Sequence, residues 1–120
     1  LMRYAISIVV FLVWFSTVNA NLNNSIMWCE SQDNPDAINW NDAINRDDKR
    51  PSIGLYQFYW KTWLKYAKIY FVIPFGITLT TWQQVEPYLH NPIYNAAVAH
   101  GMIADGLYSH WQNCYNRYSF

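Results

Sequence analysis

A chain of 120 residues has room for one domain with a modest core. Aromatic residues make up 19% of it and charged residues only 13%, which excludes a disordered, self-repelling chain. Eight basic side chains balance eight acidic ones without any basic block or stripe, which argues against a nucleic acid as the main partner.

The N-terminus has the pattern of an export signal. Arg3 supplies a positive start, Tyr4 to Phe15 is an apolar run, and Ser16 to Ala20 is a short polar segment of small residues. Val18-Asn19-Ala20 approximates a cleavage site, so residues 1–20 are expected to be removed and 21–120 to form the mature domain. Met2 is the expected start of translation. The alternative is an uncleaved anchor. The apolar run is shorter than the roughly 20 residues a spanning helix needs, so no stable membrane insertion is expected after cleavage. The expected location is secreted, periplasmic or cell-envelope.

Cys29 and Cys114 are the two cysteines. In an exported protein such a pair suggests a disulfide tying the first mature helix to the last segment. The alternative is a nucleophilic thiol at Cys29, although nothing nearby in the sequence suggests an electropositive thiolate site.

Asn21 to Ser31 reads as a helix, with Leu22, Ile26 and Glu30 in line at i, i+4 and i+8. Asn34-Pro35-Asp36 is a turn signal. Ala37 to Ser52 is polar and reads as surface loop with room for a short hairpin. Ile53 to Phe58 is compact and apolar around Gly54. Tyr59 to Tyr70 has helical spacing, with Trp60, Trp63, Leu64 and Ala67 on one side and Lys61, Lys65 and Lys68 on a solvated side.

Phe71 to Thr80, with Pro74 and Gly76, reads as a hydrophobic loop or short extended segment. Thr81-Trp82-Gln83-Gln84 fits a capping box opening a short helix to about Leu89. Asn91-Pro92 opens another, to Leu107, with Ile93, Ala96, Ala97, Ile103 and Leu107 expected on its buried face. Trp111 and Cys114 are expected to dock the last segment. His90, His100 and His110 are spaced so that no two share a helical face, so no metal site is expected. His100 is expected to be a hydrogen-bonded core histidine.

Three pieces of sequence occur in order: Cys29-Glu30-Ser31, then Asn34-Pro35-x-Ala37-x-Asn39, then Ser52-x-Gly54-Leu55-Tyr56-Gln57-Phe58 followed by Thr62-Trp63. This ordered set resembles the lysozyme-like superfamily, in particular lytic transglycosylases and resuscitation-promoting factors. The stretch from Asn91-Pro92 through Gly106 and Trp111 to Cys114 is similar to the closing helices of small members. The resemblance spans residues 22–114. It implies an α+β, mostly α, lysozyme-like fold with a small β or loop lobe, acting as a monomer without cofactor.

It also implies that Glu30 cuts the glycan strands of peptidoglycan between N-acetylmuramic acid and N-acetylglucosamine. Ser31, Ser52 and Gln57 would orient Glu30 or the sugar N-acetyl groups. Gly54 would let backbone approach the glycan, and Tyr56 would point into the cleft. Many transglycosylases carry Ala-Tyr-Asn-Ala-Gly near the domain end. Tyr94-Asn95-Ala96-Ala97 is similar but begins a helix after Pro92, which leaves Tyr94 a weak candidate for the tyrosine beside the acid.

Read from its own residues, Glu30 suits a general acid only if apolar neighbours raise its pKa. A transglycosylase needs this one carboxyl alone. A hydrolase commonly needs a second, for which Asp42, Asp47 and Asp48 are the candidates. A non-catalytic secreted glycan-binding protein on the same fold is the alternative from another class.

Overall fold

A computed structural model describes residues 21–118. The expected signal, residues 1–20, lies outside the described residues. The domain is mostly helical with one small sheet. Helix α1 covers residues 21–31. Strand β1 is Ile38–Asn39, and a 3-10 turn, Trp40–Ala43, follows it. Strand β2 is Ser52–Ile53. Helices α2 (Trp60–Ile69), α3 (Trp82–His90) and α4 (Pro92–Ala104) come next, then a 3-10 turn at Ser109–Trp111 and helix α5 at Gln112–Tyr118.

The strands pair antiparallel, Ile38 opposite Ile53 and Asn39 opposite Ser52. The short hairpin expected in the 37–52 loop therefore forms from its two ends. Arg46 closes the loop between them. Its guanidinium donates to the Arg50 carbonyl (3.0 Å) and to Ser52 Oγ (2.9 Å), and it lies over the Tyr59 ring.

Residues 53–58 are the hub of the fold, buried throughout. Ile53 and Phe58 exchange both backbone hydrogen bonds at 3.0 Å, and the Gln57 N–H closes a turn onto the Gly54 carbonyl. The turn needs left-handed backbone at Gly54 (φ +88°) and at Gln57 (φ +54°). Gln57 is not glycine, so its side chain must hold the conformation. Its Nε2 donates to the carbonyls of Gly54 (3.0 Å) and Ala37 (3.1 Å).

Asn95, fully buried on α4, pins this hub to the helices. It accepts from the Tyr56 N–H at 3.0 Å and donates to the carbonyls of Ile53 (3.2 Å) and Leu89 (2.8 Å). Both polar atoms of the buried Asn95 side chain are thereby partnered. On the other side Trp111 donates its indole N–H to the Tyr56 carbonyl at 2.8 Å, and its ring packs edge-on against Tyr56 and Phe58.

Helix α2 buries Trp63, Leu64 and Ala67 and leaves Lys61, Lys65 and Lys68 in water. Helix α3 opens with the expected capping box: Thr81 accepts from the Gln84 N–H while Gln84 reaches back to the Thr81 N–H. Helix α4 carries the expected Asn91 cap and Pro92 start, but its buried face differs from the expectation. Asn95, Val98, Ala99, Met102 and Ile103 are buried, whereas Ile93 is 75% and Leu107 37% exposed. The helix is apolar almost all round, so periodicity did not single out a face. The hydrogen-bonding needs of Asn95 and the hub did. Cys29 and Cys114 form the disulfide, with Cα atoms 5.9 Å apart, and no free cysteine is found among the described residues.

Candidate active site

Glu30 lies in the last turn of α1, where Ser31 follows it and left-handed backbone at Gln32 and Asp33 ends the helix. It shares α1 with Ile26, which is fully buried, and is itself only half-buried. Among the described residues no hydrogen bond or ion pair engages its carboxyl. Burial, with the negative charge of Asp42 second, pushes Glu30 up to about 7 from its ordinary 4.5. The negative end of the helix dipole acts in the same direction.

Asp42 sits on the 3-10 turn after β1. Asn39 starts that turn by accepting from the Asn41 N–H at 3.0 Å. The Asn34-Pro35 turn delivers the chain to β1: Asn34 accepts the Asp36 N–H on its side chain and the Ala37 N–H on its carbonyl. The Asn-Pro-x-Ala-x-Asn element thus brings the Asp42 charge within reach of Glu30.

His110 faces the same region from the C-terminal side. It stacks on Phe58 with centroids 5.2 Å apart, and its Nε2 donates to the Gln57 carbonyl at 3.3 Å. Burial lowers its pKa, and Arg46 works in the same direction. The Gln57 carbonyl and Asp42 oppose this without reversing it, so the ring is neutral at pH values where an ordinary histidine begins to charge. The Asp42 charge thus acts on both Glu30 and His110, and Glu30 is the group raised toward neutral pH.

The other expected site residues are placed differently. Ser31 Oγ donates to the Met27 carbonyl one turn back at 3.1 Å, and Ser52 Oγ accepts from Arg46. Gln57 is committed to backbone carbonyls. None of the three hydrogen-bonds to Glu30.

Tyr56 is corrected from cleft to core. It is fully buried, donates from its hydroxyl to the Asn23 carbonyl (3.0 Å) and accepts from His100 Nε2 (3.2 Å). Gly54 is also explained within the protein rather than by a glycan. A Cβ there would collide with the Leu89 carbonyl and the Asn95 amide. His100 makes the expected hydrogen bond but is exposed rather than in the core.

Tyr94 lies on α4 against Tyr88, with ring centroids 5.0 Å apart. With Pro87, Tyr88 and Asn91 it lines a shallow cavity of about 140 Å³. No hydrogen bond joins it to Glu30 among the described residues.

Of the three aspartates considered as partners, Asp48 is occupied. It accepts from the Tyr59 hydroxyl (2.8 Å), the Trp60 indole (2.8 Å) and the Arg50 N–H. Burial pushes its pKa up, but these donors, with Lys61, outweigh that and hold it below the usual carboxylate range. Asp42 alone of the three acts on Glu30.

Sequence reasoning missed Arg46, His110 and Asn95. Arg46 and His110 carry no motif, and only the packing of the 37–52 loop and the C-terminal segment against the hub brings them in. Asn95 did give a signal, a lone amide among Ala96, Val98 and Ala99 on an apolar helix. No group of His, Cys, Asp or Glu side chains among the described residues is placed to hold a metal ion. The chain matches no family model, no curated protein and no solved structure.

Proposed function

We propose that this protein is a lysozyme-like peptidoglycan lytic transglycosylase in which Glu30 is first general acid and then general base. The observation that carries the proposal is the half-buried Glu30 carboxyl, without a hydrogen-bond or ion-pair partner among the described residues and raised to about 7 by burial and by Asp42. Such a group is substantially protonated near neutral pH and can donate to a glycosidic oxygen. The bond from muramic acid C1 to the leaving oxygen breaks, and the leaving N-acetylglucosamine takes the proton. The resulting carboxylate then removes the proton of the muramic C6 hydroxyl as O6 bonds to C1. The product is a 1,6-anhydro end, and Glu30 is again protonated. The ordered sequence motifs and the disulfide, which suits an oxidising compartment outside the cytoplasm, agree with this reading.

The second reading is a hydrolase on the same fold, with Asp42 as the partner carboxylate. What favours it is the coupling between Asp42 and Glu30. Digestion of purified peptidoglycan, with mass spectrometry of the products, separates the two. Anhydro ends are expected, and reducing ends alone would assign the hydrolase. Glu30→Gln is expected to abolish release of either product while leaving glycan binding intact. If the parent binds glycan strands and releases neither product, the protein is a glycan-binding module instead.

A further inference from the structure

The loop after α2 presents apolar side chains to water in a manner its own folding does not require. Helix α2 ends in a Schellman turn: the Val72 N–H bonds to the Ala67 carbonyl at 2.9 Å, and the Phe71 N–H to that of Lys68. The residue in the left-handed position of this turn is usually glycine. Here it is Phe71, at φ +55°, with 90% of its surface exposed. A bulky aromatic there adds backbone strain and gains little burial in return.

Three residues on, a second turn closes with the Ile77 N–H on the Pro74 carbonyl (3.2 Å), and Gly76 takes its left-handed position at φ +84°. This turn holds Phe75 at its tip, fully exposed. Ile69 and Ile77 are half-exposed beside them. The surface is continuous with a groove of about 330 Å³ lined by Lys68, Phe71, Phe75 and Ile77 among others.

The segment that carries this patch holds charge of one sign, although Asp105 at the end of α4 reaches its edge by accepting the Tyr70 hydroxyl at 2.8 Å. Lys61, Lys65 and Lys68 project from the exposed side of α2, and no acidic residue occurs from Trp60 to Val85. We propose that the 69–77 loop is a peripheral docking element for an anionic lipid bilayer surface, with Phe71 and Phe75 entering the acyl boundary and the α2 lysines meeting the headgroups. Exposed aromatics rimmed by lysines have the chemistry of interfacial anchoring. A second copy fits less well, because a self-paired contact would set each lysine row against its own kind.

Flotation of the full chain with vesicles tests this. The parent is expected to float with phosphatidylcholine carrying about one quarter phosphatidylglycerol, less so at high salt, and far less with phosphatidylcholine alone. The variant Phe71→Gly/Phe75→Ser should lose binding about tenfold or more and melt no lower than the parent, since Phe71→Gly relieves the left-handed strain. Lys65→Glu/Lys68→Glu should lose binding to the anionic vesicles as well. All three proteins share residues 1–20, so the difference between them reads the loop. Equal flotation of parent and variants overturns the proposal. A parent dimer in sedimentation that Phe71→Gly/Phe75→Ser dissolves, with no change in flotation, would assign the surface to a second copy.

Discussion

Glu30 holds its raised pKa at a cost to the folded state. The unfolded carboxyl titrates at its ordinary 4.5 and the folded one at about 7, so between those values the native state binds more protons. Stability from this group is whole below 4.5, falls as pH rises, and has been lost once pH passes 7. Glu30→Gln should therefore match the parent at about pH 4 and exceed it by about 1–2 kcal/mol at about pH 8, a figure reduced for the solvent that reaches the carboxyl. Urea unfolding at the two pH values checks this. A variant equally stable or less stable than the parent at the higher pH would remove the buried-acid account. Asn95 is the opposite case, a polar side chain whose every partner is supplied from within. Asn95→Ala strips hydrogen bonds from the Tyr56 N–H and the Ile53 and Leu89 carbonyls in the core, and should cost about 3 kcal/mol or more by the same method.

Among the elements, those with local signals formed where the sequence put them. The Thr81–Gln84 capping box and the Asn91-Pro92 start are hydrogen-bonding devices contained within four residues, so they are legible without knowledge of the fold. Thr81→Ala should lower stability by about 1 kcal/mol, read as a drop in thermal midpoint, and Thr81→Ser should restore most of it. The buried face of α4 is the contrasting element. Its apolar residues run all round, and the choice of face waited on the hub formed by residues 53–58. Asp48 belongs to this scale as well. As a lone carboxylate in a polar loop it read as a possible catalytic partner, but the start of α2 brings the Tyr59 hydroxyl and the Trp60 indole onto it and makes it a brace.

For the molecule as a whole, one covalent bond joins the candidate acid's helix to the C-terminal helix. Cys29 precedes Glu30, and its partner Cys114 lies 85 residues away. Closing so long a loop restricts the unfolded chain by about 4–5 kcal/mol in the chain-entropy treatment. Cys29→Ser/Cys114→Ser should accordingly lose about 2–5 kcal/mol in chemical denaturation. Under the proposed function, its peptidoglycan digestion should fall further than the loss of folded protein explains, because the end of α1 is then less firmly placed relative to Asp42. Activity that tracks the folded fraction alone would show that the bond serves stability only.

What the sequence determined by itself is what short range can encode. That covers the helix from Asn21 to Ser31 that carries Glu30, the turn at Asn34-Pro35, the caps of α3 and α4, the wet lysine side of α2 and a cysteine pair suited to bonding. The tertiary structure decided the environment of each group. It put Tyr56 in the core, used Gly54 and Gln57 to build the hub, and brought the Asp42 charge to bear on both Glu30 and His110. The reason is physical. Backbone turns and caps depend on neighbours a few residues away. Burial and charge coupling depend on which distant surfaces meet, and that is fixed only when the hub, α4 and the C-terminal segment pack together.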